Sequence, residues 1–149
     1  MSGSARPVTP TLDRYRTDRM WNINANILVA DILSTAATAA IIEAIHTRLA
    51  TRLSIVIVTA LIDGAISLAL FASLHWYVNR HRGVRDLVHV QVHRWALAPL
   101  NYLVGSGIQY GLLVWGARAS TGVLVAYWGA LAVCRTVHTL YGKRSGLFR

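Results

Sequence analysis

Four apolar stretches, residues 24–46, 53–78, 96–117 and 121–141, take up most of this 149-residue chain. Each has the roughly 20 residues that a helix needs to cross about 30 Å of hydrocarbon. Lipid offers no partner for a peptide group, so a spanning segment must satisfy its own backbone. The runs are continuous, without the alternation over about 10 residues that marks a membrane strand. They are therefore predicted to be helices. Composition agrees, with 14% charged and 54% hydrophobic residues, where a soluble domain carries about 25% charged. Neither a soluble fold nor a disordered chain suits those figures. The expected fold is all-α: one polytopic membrane domain over 23–142, with a polar tail at 1–22 and a basic tail at 143–149.

The connections group the helices. Residues 47–52 and 118–120 are short, and short turns make antiparallel hairpins. Residues 79–95 form a longer basic linker. Within it 87–93 alternate as a strand does, and an interfacial helix is equally open. The chain thus reads as two hairpins joined by one linker.

The net charge is +9 and the pI about 10.8. In a soluble chain that would suggest nucleic acid. Position gives it another meaning. Arg6, Arg14, Arg16 and Arg19 lie in the first tail. Arg80, Arg82, Arg85 and Arg94 lie in the linker, and Lys143, Arg144 and Arg149 in the last tail. The short turns hold only Arg48, Arg52 and Arg118. By the positive-inside rule both termini and the linker are expected in the cytoplasm, and nucleic acid is not an expected partner. Trp21, Trp76, Tyr77, Trp95 and Tyr141 fall near that interface, where aromatic belts form. Residues 1–22 lack the apolar core of a signal peptide and the character of a mitochondrial presequence, so a bacterial inner membrane is expected. Cys134 is the only cysteine, which leaves no intrachain disulfide.

Asp31, Glu43, Asp63, His75, Arg135 and His138 lie inside the predicted spans. An ionisable group at mid-bilayer costs about 2.5–3.5 kcal/mol on insertion scales, and usually faces the bundle interior. Helical geometry sorts the polar residues into faces. Asn24, Asp31, Thr35 and Thr38 share one on the first helix. Thr59 and Ser67 flank Asp63 on the second. Asn101, Gly105 and Gln109 follow one another on the third, and Trp128, Arg135 and His138 on the fourth. These faces are expected to converge. Interhelical hydrogen bonds alone would account for them, at about 0.6 kcal/mol each. Asp31 and Arg135 stand at similar depth, which predicts an ion pair with His138 nearby. Asp63 has no cation at its depth. Gly107 and Gly111 form a GxxxG pattern, which serves internal packing or a homodimer seam.

Cofactor chemistry has thin support. His89 and His93 share a face, but a zinc site needs more ligands. Glu43 and His46 give one Glu-x-x-His, and the chain has no other glutamate, which excludes an intrachain di-iron centre. His75 and His138 sit at matching depth and could together bind haem b, as axial histidines do. No nucleophile elbow or phosphate loop is present. No enzyme activity and no metal are expected.

The hairpins look like a parallel repeat, a common transporter plan. One ends His75-Trp-Tyr-Val-Asn79-Arg80, the other His138-Thr-Leu-Tyr-Gly142-Lys143-Arg144. Asn26 and Asp31, Asn79-Arg80, and Lys143-Arg144 ahead of Phe148 give residues 24–148 a layout that resembles the GtrA-like family of small four-helix membrane proteins. Gly142 departs from it, standing where asparagine is usual. The resemblance implies translocation of polyprenyl-phosphate-linked sugars for cell-surface polysaccharide synthesis, with a glycosyltransferase as partner. Asp31, Asp63, Arg80, Arg82, Arg135 and Arg144 are the candidate residues for binding substrate or lipid phosphate. The alternatives are a haem-b anchor and a non-catalytic subunit of a larger respiratory or photosynthetic complex. Membrane lipids are expected partners in each case, and a homo-oligomer is compatible with all three.

Overall fold

The computed structural model describes Tyr15 and residues 17–146; Arg6, Arg14, Arg16, Phe148 and Arg149 lie outside the described residues. Four long helices carry the fold: α1 Arg19–Ile45, α2 Arg52–Asn79, α3 Gly83–Val114 and α4 Ala119–Ser145. Among the described residues there is no strand. Side-chain caps start the first two helices. Asp18 accepts from the Trp21 amide at 3.2 Å, and Thr51 from the Ser54 amide at 3.0 Å. Such caps satisfy amides that the helix leaves unpaired. A 3-10 turn, Arg80–Arg82, leads from α2 into α3 through Gly83 at φ 77°. The turn into α4 uses Gly116 at φ 85°. Both need the left-handed backbone that glycine adopts without a Cβ clash.

The helices pack as a ring, α1 on α2, α2 on α3, α3 on α4 and α4 on α1. Two apolar layers hold it. Ile42, Val56, Leu113, Val123 and Tyr127 fill one end. Ile23, Ile27, Phe71 and Val90 fill the other, where α3 begins. The polarity is the reverse of a soluble bundle. Thr38, Thr59 and Gln109 are wholly buried, whereas Leu61 and Leu103 are 69% and 74% exposed. Water would favour the opposite sorting; a lipid surround favours this one.

Three of the four helices, α1, α2 and α4, are long and apolar enough to cross a membrane. In α3, Pro99, Asn101, Tyr102 and Gln109 dilute the apolar run. The predicted linker needs correction. Residues 83–95 belong to α3, whose 32 residues make a rod of about 48 Å. Alternation in sequence suggested a strand, but packing decides for helix. Val90 is wholly buried and Leu87 packs beside it on the Phe71 layer, one helical turn away. Val88, by contrast, is 54% exposed. With Cys134 changed to Ala, Val88→Cys should react quickly with a water-soluble thiol reagent and Val90→Cys slowly. A strand exposes both to the same degree, so equal rates would refute the helix.

Candidate functional site: a cavity between the four helices

The polar faces of the four helices meet around a cavity of about 470 Å³. α1 supplies Asn24 and Asp31, and α2 supplies Asp63 and Ser67. α3 adds Arg94, Asn101 and Tyr102, and α4 adds Cys134, Arg135 and His138. Leu61, Leu68 and Leu97 complete the wall with apolar surface. Gly64 leaves room for Tyr102; a Cβ there would lie 2.7 Å from the phenol oxygen. Elsewhere α2 and α3 are tied by Gln109, which donates to Thr59 Oγ1 at 2.9 Å.

Asp31 does not pair with Arg135. Its ion partner is Arg94, with Nη2 3.1 Å from Oδ1. Ser67 completes the cluster, donating to Asp31 at 2.6 Å and accepting from Arg94 at 2.9 Å. Beneath the guanidinium lies the Phe71 ring, 4.3 Å from Cζ to centroid. Cation–π contact and ion pair together fix the Arg94 side chain. Arg135 instead donates to the Asn24 carbonyl at 2.7 Å. Matching depth was a poor guide to partner because the third helix, assigned to the linker at this level, stands closer. Asp63 accepts from Ser34 at 3.0 Å and Thr35 at 3.3 Å, both hydroxyls of α1.

His75 and His138 have different surroundings. His75 Nε2 meets Asp86 Oδ2 at 2.9 Å, and its Nδ1 lies 3.3 Å from the Asn79 amide nitrogen. Arg19 donates to the other Asp86 oxygen at 2.6 Å. Asn79 donates to Asn22 at 2.7 Å, Asn26 to Asn22 at 3.2 Å, and Tyr15 to Asn26 at 2.6 Å. This network ties α1, α2 and the start of α3 together. His138 lines the cavity; His75 does not. The rings of His89 and His93 touch edge to face at 4.8 Å. No group of three or more His, Cys, Asp or Glu side chains gathers among the described residues.

The six candidate binding residues therefore separate. Asp31, Asp63 and Arg135 share the cavity. Arg82 lines a surface groove with Arg19, Arg85 and His89 at the start of α3. Arg80 and Arg144 are exposed. Other expectations also change. Trp128 is 45% exposed and leaves the polar face of α4. Nothing lies within 4 Å of where a Cβ on Gly107 or Gly111 would stand, so the GxxxG pattern serves no internal packing. Glu43 ties the end of α1 to the start of α4. It accepts from the Ser120 amide at 3.0 Å and from Arg118 at 3.2 Å.

Arg94 and Asp86 escaped the sequence reading. One signal pointed to Arg94: the 63-residue step from His75 to His138 also separates Asp31 from Arg94. No known family model, curated protein or solved structure matches this chain.

Proposed function

We propose that this protein carries polyprenyl-phosphate-linked sugars across a bacterial inner membrane for cell-surface polysaccharide synthesis. All four helices then cross the bilayer, with both termini and the start of α3 on the cytoplasmic side. The observation that carries this reading is the cavity. A space of about 470 Å³ with mixed polar and apolar walls opens between helices whose outer faces are apolar. Small-molecule sites occupy about 300–1,000 Å³. Guanidiniums of Arg94 and Arg135 match phosphate oxygens with their planar forks. Leu61, Leu68 and Leu97 offer the same cavity an apolar side for a prenyl chain. The polar residues of α3 that lower its hydropathy, Asn101 and Gln109, face inward, which is compatible with a fourth span. The GtrA-like layout supports the same activity.

In this reading the protein is not an enzyme and needs no cofactor. Arg80, Arg82 and Arg144 concentrate anionic lipid at the cytoplasmic surface, at about 1 kcal/mol per residue. A glycosyltransferase supplies or consumes the cargo, and the open face at Gly107 and Gly111 suits a second copy. The haem-b alternative is weaker, because His75 is already engaged by Asp86 and Asn79.

Reconstituted vesicles carrying a fluorescent short-chain polyprenyl-phosphate sugar test the proposal. The protein should speed flipping. Arg135→Gln removes a charge-assisted contact of about 1.5–3 kcal/mol and should slow flipping at least about 10-fold. Flipping no faster than in protein-free vesicles would end the carrier reading. Cys134 gives a second readout, because it lines the cavity and is the only thiol. Cargo should protect it from a water-soluble maleimide.

A further inference from the structure

Two charged groups on the cavity wall form no direct ion pair. Asp63 accepts only from the Ser34 and Thr35 hydroxyls, and Arg135 donates only to a backbone carbonyl. Neither forms an ion pair among the described residues, whereas Asp31 and Arg94 neutralise each other. The hydroxyl support for Asp63 is itself thin. Ser34 has one hydrogen, and its oxygen lies 3.1 Å from the Asp31 carbonyl as well as 3.0 Å from Asp63. One donor thus serves two acceptors. A third group is also unsatisfied. Asn24 Oδ1 is buried, has no hydrogen-bond partner, and belongs to a residue on the same wall.

The acid and the base stand on α2 and α4, helices that face each other across the ring. A charge partly withdrawn from water gains from a direct ionic partner, and a ligand that brings one opposite charge supplies only one of them. A ligand carrying both supplies both. We propose that the cavity takes a zwitterionic head group, an amino-sugar phosphate, with its phosphate on Arg135 and its ammonium on Asp63. Asn24 Oδ1 accepts a further hydrogen from the sugar or the amine. This rests on the sugar-phosphate reading above and narrows it to one cargo class. The selectivity follows from the protein's own groups. A neutral hexose leaves Asp63 without a partner, and sites with buried polar groups discriminate strongly against analogues that fail to pair them.

The test uses the full-length protein in nanodiscs near neutral pH, where a sugar amine is still largely charged and a buried carboxylate keeps its charge better than in acid. Glucosamine 1-phosphate, N-acetylglucosamine 1-phosphate and glucose 1-phosphate compete with maleimide at Cys134. Glucosamine 1-phosphate should protect at a concentration at least about 10-fold lower than the other two, the value of one charge-assisted contact. Asp63→Asn should bring the three level, and Arg135→Gln should weaken all three. The ligand series in the unaltered protein stands even if a variant fails to fold. Equal protection by all three sugars would overturn the zwitterion proposal and leave the sugar-phosphate reading in place. No protection by any of them would overturn both.

Discussion

Replacing Arg94 with Met should destabilise the protein by about 3–5 kcal/mol, the cost of leaving one member of a buried ion pair without its partner. The lower end is the better expectation, because the Asp31 side chain keeps 23% exposure. Asp31→Asn should also destabilise. The double variant Asp31→Asn/Arg94→Met should lose less than the two singles combined, because the second change removes a charge the first left stranded. Unfolding by graded denaturing detergent, followed by tryptophan fluorescence, measures all three. Arg135 provides the control. It hydrogen-bonds the Asn24 carbonyl and not the Asp31 carboxylate, so Asp31→Asn and Arg135→Gln should couple more weakly than Asp31→Asn and Arg94→Met. Additive losses for Arg94 and the stronger coupling for Arg135 would reverse the assignment of partners.

Phe71→Ala is the second substitution with a large expected effect. The ring is wholly buried and joins three parts of the bundle. It packs with Ile23 and Val90 in one apolar layer. It stacks on the His75 ring at 5.2 Å between centroids, and it lies under the Arg94 guanidinium. Truncation of a buried phenylalanine costs about 3–5 kcal/mol. Phe71→Leu separates the contributions. It keeps most of the apolar volume but removes the π face, so its loss should be smaller and should include the cation–π term of about 0.5–2 kcal/mol. Thermal unfolding in detergent gives the comparison. If Leu and Ala cost the same, the volume of the ring contributes nothing and its face is the whole effect.

The polar faces of α1, α2 and α3 were readable because helical period alone groups their residues on one side. Thr38, Thr59 and Gln109 are costly in hydrocarbon, so their spacing already indicated which way they turn. Trp128 misled because tryptophan is stable at a lipid surface as well as in a core, and spacing alone does not separate the two. Arg94 was unreadable by hydropathy for a related reason. A segment with Arg85, Asp86, His89 and Arg94 averages to a polar loop, yet the average conceals which side each residue faces. Once 83–95 is helical, Val90, Arg94 and Asn101 line up one and two turns apart, and Asn101 already belonged to the recognised face. The pairing of Asp31 lay beyond reach for another reason. Depth along the membrane was available, but the order of helices around the ring was not.

The Asp31–Arg94 contact also bears on how the chain is made. In the membrane arrangement proposed above, translation delivers α1 and α2 first, with Asp31 in place and Arg94 not yet synthesised. The opening hairpin leaves the ribosome with Asp63 already met by Ser34 and Thr35 of α1, and with Asp31 still without its ionic partner. A nascent chain stopped after α2 should therefore remain loosely inserted and open to membrane proteases. Release of α3 supplies Arg94, and with it the first charge that can lock the hairpin in place. Assembly then proceeds in the order in which the chain emerges, with the third helix as the step that commits it.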